Sequence, residues 1–155
     1  MSFFLGEFEI AMDAKGRIML PAAFRKRFEE KLESGFIIKR AIGAQCLEFY
    51  TAESWKPIHE ELESMVEFNP RVAKFKRLFL DGASEVEMDG SGRILIPKPL
   101  QEYANLSKKL LFASKGNKVE IWDRDAYYNY ISENADELED LASELWGDSV
   151  TKPKN

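Results

Sequence analysis

The feature that most restricts how this chain can fold is that it repeats itself. DAKGRIMLP at 13–21 and DGSGRILIP at 89–97 agree at five of nine positions with an offset of 76, and LEFYTAESW at 47–55 matches VEIWDRDAY at 119–127 with an offset of 72. Blocks that recur in the same order mean that one structural unit is built twice. Two copies in one chain point to an ancestral unit that paired with itself, so the halves are expected to pack about a pseudo-twofold axis. The boundary is expected near Gly82: a first half at 1–82, a second at 83–147, and a disordered tail at 148–155.

Each half reads as strands punctuated by short helices, an α+β pattern. FLGEFEIAM (4–12) alternates, GRIML (16–20) is short and apolar, and the DAKG between them has Asp at the first turn position and Gly at the fourth. This predicts a β-hairpin with a type I turn, in which Gly16 takes positive φ and the Asp13 carboxylate accepts backbone N–H groups. Asp89 and Gly92 repeat the arrangement. Pro21 opens a helix with Phe24, Phe28 and Leu32 inside and Gly35 at its end; Pro97 opens a shorter counterpart that offers Leu100 and Tyr103 to the core. Strands are expected at 36–42, 46–50, 109–114 and 118–122, paired through Gly-containing turns. Thr51 caps a helix that Pro57 restarts or kinks, with Ile58, Leu62 and Met65 as its stripe, and Asn69-Pro70 starts another that ends at Gly82 with Val72, Phe75 and Phe79 on one side. Asp123 caps a final helix whose stripe, Tyr127, Ile131, Leu138, Leu141 and Leu145, suits core or a subunit contact.

Composition excludes several function classes. One cysteine, Cys46, makes no internal disulfide and reads as a small buried hydrophobe in a reducing compartment; one histidine, His59, sits among glutamates as a surface residue, and together they leave no His/Cys set for a metal. The GSG at 90–92 precedes a strand rather than a helix and lacks phosphate-loop spacing. No acid, base and nucleophile converge, so no enzyme, cofactor or small-molecule substrate is expected. MSFFLGEFEI has no basic lead and no run reaches the ~20 apolar residues of a membrane span, so a cytoplasmic protein is expected.

The net charge of −5 hides a polarised distribution. Residues 131–149 carry seven acidic and no basic side chains, whereas 14–40 carry eight basic against three acidic. One end is thus a candidate anion-binding surface, although a solvated helix face would look the same. The turn explains Asp and Gly in the doubled D-x-x-G-R loop, but not the arginine after each. Arg17 and Arg93 either stiffen their turns by pairing with Asp13 and Asp89, or reach phosphates and guanine edges with a planar guanidinium fork. In sequence, Lys15, Arg25, Lys26 and Arg27 flank the first loop while Ser91, Pro99, Leu100 and Gln101 stand around the second, with Lys98 its nearest basic neighbour. The first loop is therefore expected to carry more of the attraction for DNA.

The doubled loops DAKGR and DGSGR, the connection NPRVAKFKRLFLDGASE, the continuation RILIP and VEIWD before the final helix resemble the MraZ family over about residues 1–147. These are bacterial transcriptional regulators of the division and cell wall gene cluster, built from two SpoVT-AbrB-like halves. The resemblance implies a tandem duplicated swapped-hairpin β-barrel with flanking helices, ring-shaped homo-oligomers, nucleoid association, and binding of repeated double-stranded DNA boxes in a promoter. It also implies that Arg17, with Lys15 beside it, contacts DNA and that Arg93 is its counterpart; Arg25 and Lys26 join them as candidates on charge. The acidic segment beyond Ser132 falls outside the resemblance. An oligomeric scaffold that binds protein partners without catalysis is the alternative.

Overall fold

The computed structural model describes residues 4–27 and 35–147. Contacts divide the chain into two compact units, Met1–Arg124 and Asp125–Asn155. In the first, the alternation of FLGEFEIA becomes β1 (Phe4–Ala11), with Phe8 and Ile10 against the core and Glu7 and Glu9 in water. β2 (Arg17–Met19), α1 (Ala22–Arg27), β3 (Phe36–Arg40) and β4 (Leu47–Thr51) follow, then α2 (Ala52–Ser64) and α3 (Pro70–Phe79). The second copy supplies β5 (Ser84–Val86), β6 (Arg93–Leu95), α4 (Lys98–Tyr103), β7 (Lys109–Gly116) and β8 (Val119–Asp123).

The strand order is β1-β7-β8-β4-β3-β5 in an antiparallel six-stranded sheet, with β2 and β6 forming a two-stranded ribbon. The repeat explains this order. β1 pairs with β7 of the second copy, and its counterpart β5 pairs with β3 of the first, so each copy lends its opening strand to the other. The equivalent strands β4 and β8 meet at the sheet centre, where Glu48 faces Glu120, and β2 and β6 meet with Ile18 facing Ile94. Both like-with-like pairs mark the pseudo-twofold axis that the duplication predicts.

The expected hairpin is present only at its turn. Met12 and Ile18 form one bridge, after which β1 and β2 part to different partners across the repeat. The ladders of the described residues also leave β1 and β5 as separate ends rather than joining them into a closed barrel. One apolar core unites sheet and ribbon: Phe24 of α1 lies edge-on to Phe112 at 5.2 Å, Phe36 stacks on Phe49 at 4.8 Å, and Ile18, Leu20, Ile94, Ile96 and Leu100 close it from the ribbon side. Burial of such side chains contributes about 1.5–3 kcal/mol each. Phe28 and Leu32, assigned to the same inner face, lie outside the described residues, as do 148–155.

Helix starts follow the sequence. Thr51 Oγ1 accepts the Ser54 N–H at 3.1 Å, and Asn69 Oδ1 accepts the Arg71 N–H at 2.9 Å ahead of Pro70. α2 runs through Pro57 without restarting; the proline removes one intrahelical bond without ending the helix. The apolar side of α3 is less covered than its spacing predicts, since Phe75 and Leu78 are exposed. Beyond Asp123 there is not one helix. α5 (Arg124–Asn134) passes into a 3-10 turn (Ala135–Glu137) and then α6 (Leu138–Trp146), whose Leu138, Leu141, Leu145 and Trp146 are exposed.

Candidate nucleic-acid interface

Each Asp-x-x-Gly-Arg loop is fixed by its aspartate. Asp13 Oδ1 accepts the N–H groups of Lys15 and Arg17, both at 2.9 Å, while Oδ2 takes the Arg17 guanidinium Nε at 2.8 Å. Asp89 does the same, accepting from Ser91 N at 2.8 Å, Arg93 N at 3.0 Å and Arg93 Nε at 3.3 Å. The bond from the following arginine's own N–H is the main influence that holds both carboxyls below the usual aspartate range. Gly16 and Gly92 each donate to the aspartate carbonyl at 3.0 Å, closing the type I turn, and sit at φ +85° and +84° as their position requires. With Nε tied down, each guanidinium keeps its two terminal nitrogens without a partner among the described residues. The aspartates thus aim the arginines rather than retire them.

The ribbon brings these side chains together. In the ladder Arg17 faces Leu95, Ile18 faces Ile94 and Met19 faces Arg93. Directly opposed residues share a face and alternate ones change it, so Ile18 and Ile94 point into the core while Arg17, Met19, Arg93 and Leu95 occupy the outer face. The two arginines lie on its diagonal, about 7–8 Å apart by ladder geometry. Met19 is 43% and Leu95 54% exposed. The sequence singles out neither, Met19 being one residue of the short apolar GRIML and Leu95 one of RILIP; only their place beside an arginine, two residues away in one strand and across the ladder in the other, marks them.

Of the remaining candidates, Lys15 and Lys26 are exposed. Arg25 is not where sequence order puts it. Its Nε donates to the Leu20 carbonyl at 3.0 Å, and its side chain lies so close to Gly92 that a Cβ there would meet it at 2.8 Å. Gln101, the matching residue of the second copy, donates to the Ile96 carbonyl at 2.7 Å and covers Gly16. Each loop is therefore buttressed from the other half, and the exchange gives the second loop a cation that the sequence assigned to the first. Charge is shared between the loops more evenly than the sequence reading supposed.

A second polar cluster, on the far face of the sheet, escaped the sequence reading. Glu48, nearly buried, accepts from Lys118 Nζ at 2.7 Å and from the Tyr50 hydroxyl at 2.8 Å, with Lys39 Nζ at 3.5 Å. Burial pushes its pKa up, but the bonds from Lys118 and Tyr50 and the charges of the two lysines outweigh burial and leave it below its ordinary value. Burial is likewise the main influence that lowers Lys39 and raises the Cys46 thiol. Its geometry is that of a structural cluster: Glu48 and Lys39 are buried, and Lys118 closes it from the solvent side. Among the described residues no group of His, Cys, Asp and Glu could hold a metal, and no helix is long and apolar enough to cross a membrane.

Comparison with known proteins agrees with the doubled loop. The family model for the MraZ protein, described as antitoxin-like, matches twice, at residues 3–78 and 79–148. The chain belongs to the MraZ family. It is 38% identical over 143 residues to the transcriptional regulator MraZ of Christiangramia forsetii, covering 92% of each chain. It is 35% identical over 147 residues to that of Flavobacterium psychrophilum, covering 95% of this chain and 94% of the relative. The second family match takes in the acidic segment beyond Ser132, which the sequence resemblance alone leaves out, and so corrects that expectation.

Proposed function

We propose that this chain is a transcriptional regulator that binds double-stranded DNA sequence-specifically, laying the β2–β6 ribbon into the major groove. The observation that carries this reading is the ribbon's outer face, on which Arg17 and Arg93 stand together, each oriented by an aspartate. A two-stranded ribbon fits a groove about 12 Å wide, and a fixed guanidinium fork pairs with guanine O6 and N7. Lys15, Lys26 and Arg25 supply phosphate attraction around it. The names of the two relatives support a regulator and a non-enzymatic role. Binding to repeated promoter boxes, control of the division and cell wall gene cluster, a ring-shaped homo-oligomer, a nucleoid location, halves meeting near Gly82 and closure of the exchanged strands into a swapped-hairpin barrel complete the proposal. Exposed Phe75, Leu78, Leu141 and Leu145 favour a second reading, an oligomeric scaffold for protein partners.

The test is selection from a random duplex pool, followed by titration of an enriched duplex at several salt concentrations. The DNA reading expects an enriched motif and an affinity that falls with log salt at a slope of about −4 to −6, one unit for each phosphate neutralised. A pool that yields no motif, or binding indifferent to salt, leaves the scaffold.

A further inference from the structure

We infer that Met19 and Leu95 read thymine, by packing against the 5-methyl groups that thymine presents in the major groove; the inference rests on the ribbon entering that groove. The outer face holds four side chains in a two-by-two array, Arg17 across from Leu95 and Arg93 across from Met19. Half of that face is apolar and solvated, although the positions between these residues, Ile18 and Ile94, are fully buried and satisfy the core without them. An outer face whose only task was phosphate attraction would gain from polar or basic residues at both sites. What a methionine and a leucine offer a groove edge is contact with a methyl group, since every other major-groove feature is a hydrogen-bond donor or acceptor.

Ladder geometry adds a spacing rule. Opposed side chains stand about 4.5–5.5 Å apart, and base pairs rise 3.4 Å per step, so an arginine seated on a guanine holds its apolar neighbour within about one or two steps. The recognised sequence therefore carries a thymine within two base pairs of each guanine that Arg17 or Arg93 contacts. The two copies are not identical here: Met19 is long and flexible, whereas Leu95 is branched and shorter, so the Met19 side tolerates more variation in the methyl's position.

The experiment uses the full chain and the duplex enriched from the random pool, resynthesised with dU in place of dT at one position at a time. Uracil keeps every hydrogen-bonding group and lacks only the methyl. Wild-type protein is expected to lose about three- to fourfold in affinity at a contacted thymine, the equivalent of one buried methyl. Met19→Ala and Leu95→Ala are expected to lose a similar factor on the dT duplex and to become indifferent to dU at one position each. Indifference of the wild-type protein to dU at every thymine within two steps of a guanine overturns the inference while leaving DNA binding intact, as does an equal loss by the variants on dT and dU duplexes. A pool that enriches no duplex overturns both.

Discussion

Gly16→Ala is expected to destabilise the protein by about 2–3 kcal/mol, and most of that figure can be worked from two contacts. At φ +85° an alanine pays about 1–2 kcal/mol for its left-handed backbone. The new Cβ would also lie 2.2 Å from Gln101 Nε2. That amide ends a flexible side chain and can yield, but only by giving up its 2.7 Å bond to the Ile96 carbonyl, a further ~0.5–1.5 kcal/mol. For a chain of this size each kcal/mol lowers Tm by about 3–4 °C, so thermal unfolding followed by circular dichroism at fixed protein concentration should show a drop of about 6–12 °C. Gln101→Ala in the Gly16→Ala background removes an amide that has already given up its bond and is expected to add nothing to the loss of Gly16→Ala alone, so the two effects are non-additive. Additive losses in the double variant, or a Gly16→Ala shift below 2 °C, would refute the proposal that the second copy's helix buttresses the first copy's loop.

Arg17→Ala and Arg93→Ala are expected to weaken DNA binding by comparable factors, within about threefold of each other, because Arg25 stands at the second loop; a loss confined to Arg17→Ala in binding isotherms would restore the asymmetry that sequence order suggests. Glu48→Ala is expected to cost about 3–5 kcal/mol in denaturant unfolding, since it leaves the buried Lys39 without a counter-charge and with only the Arg40 carbonyl and the Phe79 ring, whereas exposed Glu85→Ala should change stability by less than about 0.5 kcal/mol. Because the folded pKa of Glu48 lies below its ordinary 4.5, its contribution is complete above that value and lost as the pH falls through the lowered one; Glu48→Gln should flatten the stability profile there, and an unchanged profile would contradict the assignment. Exposed Phe75, Leu78, Leu141 and Leu145 lead us to expect a homo-oligomer by light scattering at micromolar concentration, and a monomeric mass would count against it.

What the sequence made legible was whatever is encoded within a few residues. The loop could be read because the Asp13 carboxylate reaches N–H groups only two and four residues on and Gly16 closes the same turn. Helix starts at Thr51 and Asn69 could be read for the same reason. Partnership between strands could not, since alternation decides which side chains face inward and is silent about which strand lies alongside. Hence the sequence predicts a β1–β2 hairpin although each strand pairs across the repeat. Arg25 shows the same gap: adjacency in sequence places it at the first loop, and exchange places it at the second. The one available clue was that its counterpart at the repeat offset is Gln101, another long polar side chain. The stripe predicts one continuous final helix because it ignores Asn134, where the backbone leaves helical geometry at φ −111° and ψ 1° before the 3-10 turn.

Exchange of the opening strands also dictates when this protein can fold. The ladder that holds β1 joins Phe4 to Gly116 and Ala11 to Lys109, so its partner is made only after most of the chain has left the ribosome. At about 5–20 residues per second, the first strand waits on the order of 5–20 s for the second copy to arrive. During that interval FLGEFEIA is an unpaired edge, and contacts of such long sequence separation form late and slowly. Glu7 and Glu9, which stand in water in the finished sheet, break the apolar run, and charges so placed on an edge disfavour pairing with the same segment of a neighbouring nascent chain.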